Sequence, residues 1–344
     1  MGHIHAAITG IGAFLPEYRL TNDELSTMVD TSDEWIMQRI GIKERRIYKE
    51  PGKATSDMGT AAVLQLLEKT KTHHDDIDLL ICATITPDRP VPATANIICN
   101  KARLHNAWSF DLNAACSGFL FSLATGASFI ESGRYKKVVI VAADMMSSIT
   151  DYTDRTTCPL FGDGAAAVLL EPATGDESIK DYIHHTDGKG RNYLYVRSGG
   201  SKHPASAETV ANREHFIHQD GPTVFKHAVK RMADVAVEMM QKHQITNENL
   251  AWLVPHQANM RIIEAVARRM ELDPAKVMIN IRKYGNTTAA TVPLCLYDYE
   301  KQLKKGDNLI LAAFGAGFTW GALYLKWAYD SEPETTQPCN PVTL

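Results

Sequence analysis

Three side chains in this sequence stand where chemistry would need them. Cys116 lies in DLNAACSGF, where an irregular polar segment runs into CSGFLFSLATGASFIE (116–131). That stretch is apolar or small all round, which predicts a helix buried inside the protein. A thiol at such a helix N-terminus feels the positive end of the dipole, so its pKa is expected to fall and its thiolate fraction to rise. Small neighbours, Ala114, Ala115, Ser117 and Gly118, leave room for a substrate to reach the sulfur. His256, in WLVPHQAN, directly follows an apolar strand, where doubly wound sheets form their ligand crevice. Asn286, in KYGNTTAAT, precedes a second small-residue helix start. Taken singly, each also has a structural reading: an inert buried thiol, a hydrogen-bonded rim histidine, and an N-cap or turn asparagine. Together they suit acyl transfer. The thiolate takes an acyl group as a thioester, and the two neutral donors hold a developing enolate or thioester oxygen.

The elements that must position these residues alternate along the chain. Strands are predicted at 3–14, 78–86, 137–145, 165–172, 251–257, 308–318 and 322–327, with the composition of strands covered on both faces. Residues 222–243 open on Pro222 and set Phe225, Ala228, Met232, Val235 and Met239 on one helical stripe. The class is therefore α/β. A weak repeat joins the halves. VVIVAAD (138–144) resembles NLILAAF (308–314), which sets Val138 on Asn308. DLLICAT (78–84) can be set on AWLVPHQ (251–257), which sets Leu79 on Trp252. Under the first match Asn286 falls on Cys116, and under the second His256 falls on Ala83. The expectation is a duplicated unit, 1–174 carrying the cysteine and 175–329 carrying His and Asn, facing one another across a two-fold axis. The junction falls near PATGDESIKD (172–181), and the polar, Pro-rich 330–344 reads as a disordered tail.

Composition bounds the function. The 344 residues are 44% apolar and 22% charged, typical of a soluble globular protein, and a net charge of −4 argues against nucleic acid or an anionic membrane as the main partner. The opening MGHIHAAITGIGAFLP lacks a secretory pattern, and no apolar run reaches spanning length. Six scattered cysteines without a C-x-x-C pair read as free thiols in the cytoplasm. Gly10 and Gly12 read as a strand-end turn, and His73–His74–Asp75–Asp76 and His184–His185 as exposed loops rather than metal sites.

DTSDEWIMQRIGIKERR (30–46), NAACSGF (113–119), DRTTCPLFGDGAAAVLL (154–170), VPHQANMRII (254–263), YGNTTAAT (284–291) and FGAGFTWG (314–321) stand in the order of a known family. As a set they make the chain resemble β-ketoacyl-acyl-carrier-protein synthase III, the initiating condensing enzyme of type II fatty-acid synthesis. The resemblance implies a thiolase-like fold in α-β-α-β-α layers. It implies a homodimer whose substrates are an acyl-CoA and malonyl-acyl-carrier protein, with no cofactor and no metal. It makes Cys116 the nucleophile, with His256 and Asn286 promoting decarboxylation. The oxyanion hole would be the backbone N–H groups of Cys116 and Ala316. Trp35, Arg39 and Arg155 match the CoA site; Gly221, Phe225, Ala258 and Asn259 match the pantetheine tunnel; Arg261 matches a carrier-protein dock that Arg268 would extend. Val91 and Phe314 would border the acyl pocket. Ile40, Val91, Pro222 and Ala316 depart from the usual residues, and Val91 and Pro222 leave the primer open. The alternatives are a paralogue of a secondary pathway using another acyl-CoA or acceptor, and an inactive subunit of a heterodimeric synthase, against which the intact Cys116, His256 and Asn286 speak.

Overall fold

The computed structural model describes residues 4–331. Its first sheet is built from β1 (Ala6–Phe14), β2 (Leu79–Ala83), β3 (Trp108–Leu112), β4 (Val138–Asp144) and β5 (Gly164–Pro172), in the order β1-β5-β4-β2-β3. The second uses β6 (Ile179–Thr186), β7 (Leu250–Pro255), β8 (Asn308–Gly315) and β9 (Thr319–Lys326), in the order β7-β8-β9-β6. Each of the seven predicted strands is present. Within these two sheets two more lie outside the expected set: β3, which runs into the start of the segment read as irregular, and β6, which begins inside the expected junction. β3 escapes notice because WSFDL carries an aspartate and a serine on an edge strand, where apolar runs are not required.

The side chains of each strand alternate between two cores. Val138, Ile140 and Ala142 of β4 enter the core between the sheets, as do Leu309, Leu311 and Ala313 of β8. The faces of the sheets are covered by six helices: α1 (Thr55–Thr70), α2 (Thr94–Lys101), α3 (Gly118–Glu131), α4 (Gly221–Lys242), α5 (Met260–Arg269) and α6 (Thr291–Tyr299). The central layer holds α3 and α6. The intervening residues Val139, Val141 and Ala143 of β4 face α1 and α2. On the opposite side, Ile310, Ala312 and Phe314 of β8 face α4 and α5. Five layers result, helix–sheet–helix–sheet–helix. Each fully buried aliphatic side chain contributes about 1.5–3 kcal/mol, so this alternation pins the register.

That register corrects the expected repeat. Leu79 pairs with Val138, and Trp252 with Leu309. Setting Leu79 on Trp252, as expected for β2 and β7, therefore sets Val138 on Leu309 rather than on Asn308. The expected match would also put Ile140 on Ile310, which faces the other core. A one-residue slip turns every side chain over, and the short VVIVAAD/NLILAAF match could not detect it.

Gly10 and Gly12 lie inside β1, not in a turn. A methyl group on Gly12 would sit 2.5 Å from the Ala62 carbonyl oxygen, so the glycine lets α1 approach the sheet. His184 and His185 lie on β6 rather than in an exposed loop, and the His184 ring stacks on Phe121 with centroids 4.2 Å apart. Cys82, Cys99, Cys116, Cys158 and Cys295 are free and buried. Cys339 and residues 332–344 of the expected tail lie outside the described residues.

Candidate active site

Two turns of the same construction carry Cys116 and Asn286. In one, Ala115 has φ 49° and opens a 3-10 turn, Ala115–Ser117, that leads into α3. In the other, Thr288 has φ 54° and opens the turn Thr288–Ala290 that leads into α6. The Asn113 Oδ1 accepts from Ala115 N–H at 3.4 Å, and the Asn286 Oδ1 from Thr288 N–H at 2.9 Å. Asn286 is therefore the counterpart of Asn113, and Cys116 the counterpart of Ala289. The expected equivalence of Cys116 with Asn286 is wrong, because the turns keep the correspondence that sets Leu79 on Trp252. Asn286 is anchored further by its backbone, donating to Leu160 O at 2.8 Å and accepting from Gly162 N–H at 3.1 Å. With its Oδ1 occupied, the amide has Nδ2 left for a ligand.

His256 follows β7 directly. Its backbone N–H donates to Ala312 O at 2.8 Å, and its Nδ1 lies 2.7 Å from Thr291 Oγ1 at the start of α6. Burial pushes the imidazole pKa down to about 3, so the ring is neutral at physiological pH. Asp144, at the end of β4, ties the halves together. Its Oδ1 accepts from Ile85 N–H at 2.8 Å and Thr84 Oγ1 at 3.0 Å, while its Oδ2 accepts from Ala289 N–H of the second turn at 3.4 Å. Burial raises this carboxyl to about 6 in spite of those donors.

The expectation of a lowered thiol pKa fails. Burial, followed by the Asp144 charge, pushes Cys116 up to about 12. Buried in a largely apolar cavity, the thiolate loses its hydration, and that loss raises the pKa where a helix N-terminus alone would lower it.

The three side chains meet in one cavity of about 500 Å³. Cys116 comes from the first half, and His256 and Asn286 from the second. Phe314 and Ala316 line the same cavity. The φ of Ala316 is not positive, so an alanine fits this turn without strain. Gly221, Phe225 and Ala258 line the shaft, and Trp35, Arg39, Asn259 and Arg261 also line it. Asn259 is committed to structure as well, capping α5 through Arg261 N–H at 2.9 Å and reaching Arg39 O at 3.2 Å. Arg261 lies over the Phe225 ring, its guanidinium carbon 5.2 Å from the centroid.

Three expected residues lie off the cavity. Arg155 packs its guanidinium carbon 5.3 Å from the Trp35 ring centroid and bonds Asp30 at 3.1 Å. Val91 is 81% exposed on the surface. Arg268 lines a separate groove beneath α5 with Ile263, Leu272 and Arg282. His73, His74 and Asp75 bring potential ligand atoms within 4.8 Å of one another, far along the chain from the site.

Comparison with known proteins decides the family. The profile described as 3-oxoacyl-[acyl-carrier-protein (ACP)] synthase III matches residues 110–188, and that of its C-terminal part matches residues 240–327. Beta-ketoacyl-[acyl-carrier-protein] synthase III 2 of Bacteroides thetaiotaomicron is 57% identical over 335 residues, 97% of this chain and all of that one. The chain belongs to the synthase III family. The synthase III of Phocaeicola vulgatus is likewise 57% identical, over 96% of this chain and 99% of its own. The crystal structure of the synthase III from Aquifex aeolicus superposes with a TM-score of 0.86 at 38% identity, covering 94% of this chain and 100% of that one. The chain is thus an enzyme of the condensing acyltransferase type, with the thiolase-like fold. No helix among the described residues is long and apolar enough to cross a membrane.

Several cavity residues of this synthase III escaped sequence reasoning. Ile85 and Met146 stand just beyond the ends of β2 and β4, so the strand-end argument that found His256 would have found them. Leu194 and Ile217 come from a two-stranded ribbon, Leu194–Val196 with Ile217–Gln219, whose short strands carry no local signal. Leu160 and Phe161 belong to a quoted motif, but nothing in it shows that they face the cavity.

Proposed function

We propose that this chain joins an acyl-CoA primer to malonyl-acyl-carrier protein by decarboxylative Claisen condensation, giving a 3-oxoacyl-acyl-carrier protein, CoA and CO2. The observation that carries this reading is the convergence of Cys116, His256 and Asn286, from opposite halves, on one largely apolar cavity. Cys116 Sγ attacks the acyl-CoA carbonyl carbon. The bond to CoA sulfur breaks, and the thiol proton ends on the released CoA. Malonyl-carrier protein then enters the same shaft and loses CO2. His256 and Asn286 Nδ2 hold the enolate oxygen that forms. The C2 carbanion attacks the acyl-Cys116 carbonyl, whose oxygen is held by the N–H groups of Cys116 and Ala316, and Cys116 leaves and regains a proton from solvent.

Trp35, Arg39 and Arg155 grip the CoA nucleotide, since a guanidinium beside an indole suits both a base plane and a phosphate. Gly221, Phe225, Ala258 and Asn259 guide the pantetheine arm. Arg261 at the mouth and Arg268 beyond it form a local positive patch for an acidic carrier protein on an enzyme of net charge −4. No cofactor or metal enters these steps, and the compartment is the cytoplasm. The protein works as a homodimer in this reading. The outer edge of β3 is unpaired among the described residues, and Trp108 at its start is 42% exposed beside Phe110. Val91 then reaches toward the partner subunit's acyl pocket.

Intact-mass measurement after mixing with acetyl-CoA and a panel of longer and branched acyl-CoAs tests the nucleophile. An acyl adduct that disappears in Cys116→Ala is expected. No adduct with any acyl-CoA, or one that survives the substitution, overturns the assignment.

A further inference from the structure

Resting on the donor role proposed above for His256, we propose that Thr291 is a positioning residue that decides which nitrogen of the His256 ring carries the proton. Its hydroxyl donates to Nδ1, which leaves Nε2–H as the donor facing the cavity.

The Thr291 hydroxyl has one proton and two neighbours. His256 Nδ1 is 2.7 Å away, and the Thr288 carbonyl oxygen is 3.1 Å away. That carbonyl already accepts the backbone N–H of Thr291, so it does not depend on the hydroxyl. Both separations are within hydrogen-bond reach, but the shorter one matches the usual distance for a hydroxyl donor, and the proton is assigned to it. The proton therefore points at Nδ1. A ring nitrogen that accepts carries no hydrogen, and the neutral ring has a single N–H. Burial keeps the ring neutral, so that hydrogen is on Nε2. Nε2 has no protein partner among the described residues, and the ring lines the cavity.

The arrangement has a chemical consequence. Nε2–H can meet a developing enolate oxygen, but it cannot take the proton of Cys116. His256 therefore acts on oxygen and is not the base that activates the thiol. Thr291, itself buried at the first position of α6, never touches the substrate and acts only through the imidazole. This is the outer-partner logic by which a hydrogen bond at one ring nitrogen sets the use of the other.

The full-length enzyme labelled with 15N-histidine tests this without substrate. The His256 signals, identified by their loss in His256→Gln, are expected to show an unprotonated Nδ1 and a protonated Nε2. Thr291→Val keeps the shape and removes the donor. It is expected to shift the ring toward the Nδ1–H tautomer and to lower kcat for condensation about 10- to 100-fold, with KM for acetyl-CoA within about twofold. Thr291→Ser should restore both. A protonated Nδ1 in the wild type, or a Thr291→Val enzyme with unchanged tautomer and kcat, overturns the proposal. If Thr291→Val fails to fold, the wild-type and Thr291→Ser spectra still decide it. An enzyme that forms no acyl adduct would defeat the synthase reading but would leave the tautomer result standing.

Discussion

Gly315 presses directly on Cys116: a methyl group built on Gly315 would lie 2.7 Å from the Cys116 backbone nitrogen and 2.8 Å from its Cβ. Real Cβ atoms essentially never come so close, and the neighbouring atoms are the turn that aims the sulfur. Gly315→Ala must therefore displace Cys116. A shift of about 1 Å in a reacting group costs on the order of 100-fold, so acyl-adduct formation should slow by roughly that factor while far-ultraviolet circular dichroism stays native. Wild-type acylation kinetics in this variant would show that the contact does not position the nucleophile.

The raised thiol pKa predicts how Cys116 reacts. With the pKa at about 12, the thiolate fraction grows with pH throughout the range in which the protein can be handled. Iodoacetamide labelling that is lost in Cys116→Ala should accelerate about tenfold per pH unit from pH 7 to 10. A plateau near pH 8 would mean that the helix dipole, rather than burial, governs this sulfur.

Asn286 should separate the two half-reactions. Asn286→Ala removes a donor to the enolate oxygen without touching the thiol, so it should still form the acyl adduct. It should decarboxylate malonyl-carrier protein about 10²- to 10³-fold more slowly. Full condensation activity in the variant would remove Asn286 from the proposed mechanism.

His256 should make stability depend on pH. Its folded pKa of about 3 lies below its ordinary 6.5, so between those values the unfolded chain binds the extra proton. The buried ring carries no protonation penalty above pH 6.5, and the folded state loses stability progressively as pH falls from there toward 3. His256→Gln removes this titration, and its urea midpoint should fall less than the wild type's between pH 7 and 4. Parallel curves would contradict a buried neutral imidazole.

Val91 tests the proposed dimer and the primer together. Val91→Phe places a larger side chain at a position exposed in the single chain and proposed to meet the partner's acyl pocket. Turnover of branched and longer acyl-CoAs should drop about tenfold or more, with acetyl-CoA nearly unaffected. An unchanged primer profile would detach Val91 from the acyl pocket.

Much of this was legible in one dimension, because it depends on local pattern. The alternation of apolar strands with helices, the buried helix after Cys116 and the stripe of Ala228, Met232, Val235 and Met239 all follow from periodicity. So does the marking of Cys116, His256 and Asn286, which sit where a strand or polar turn gives way to small residues. Motif order carried the family.

Tertiary structure decided the rest, because those properties arise between segments far apart in the chain. The setting of Val138 on Leu309 follows from which side chains face which core, and the pairing of Asn286 with Asn113 from matching turn geometry. The thiol pKa depends on burial by segments far from Cys116 in the chain, and that desolvation raises it where the local dipole read from sequence would lower it. Thr291 is distant from His256 in the chain, yet their 2.7 Å contact orients the ring. Local spacing marks which atoms can react; only the packed layers determine how dry they are and which way their protons point.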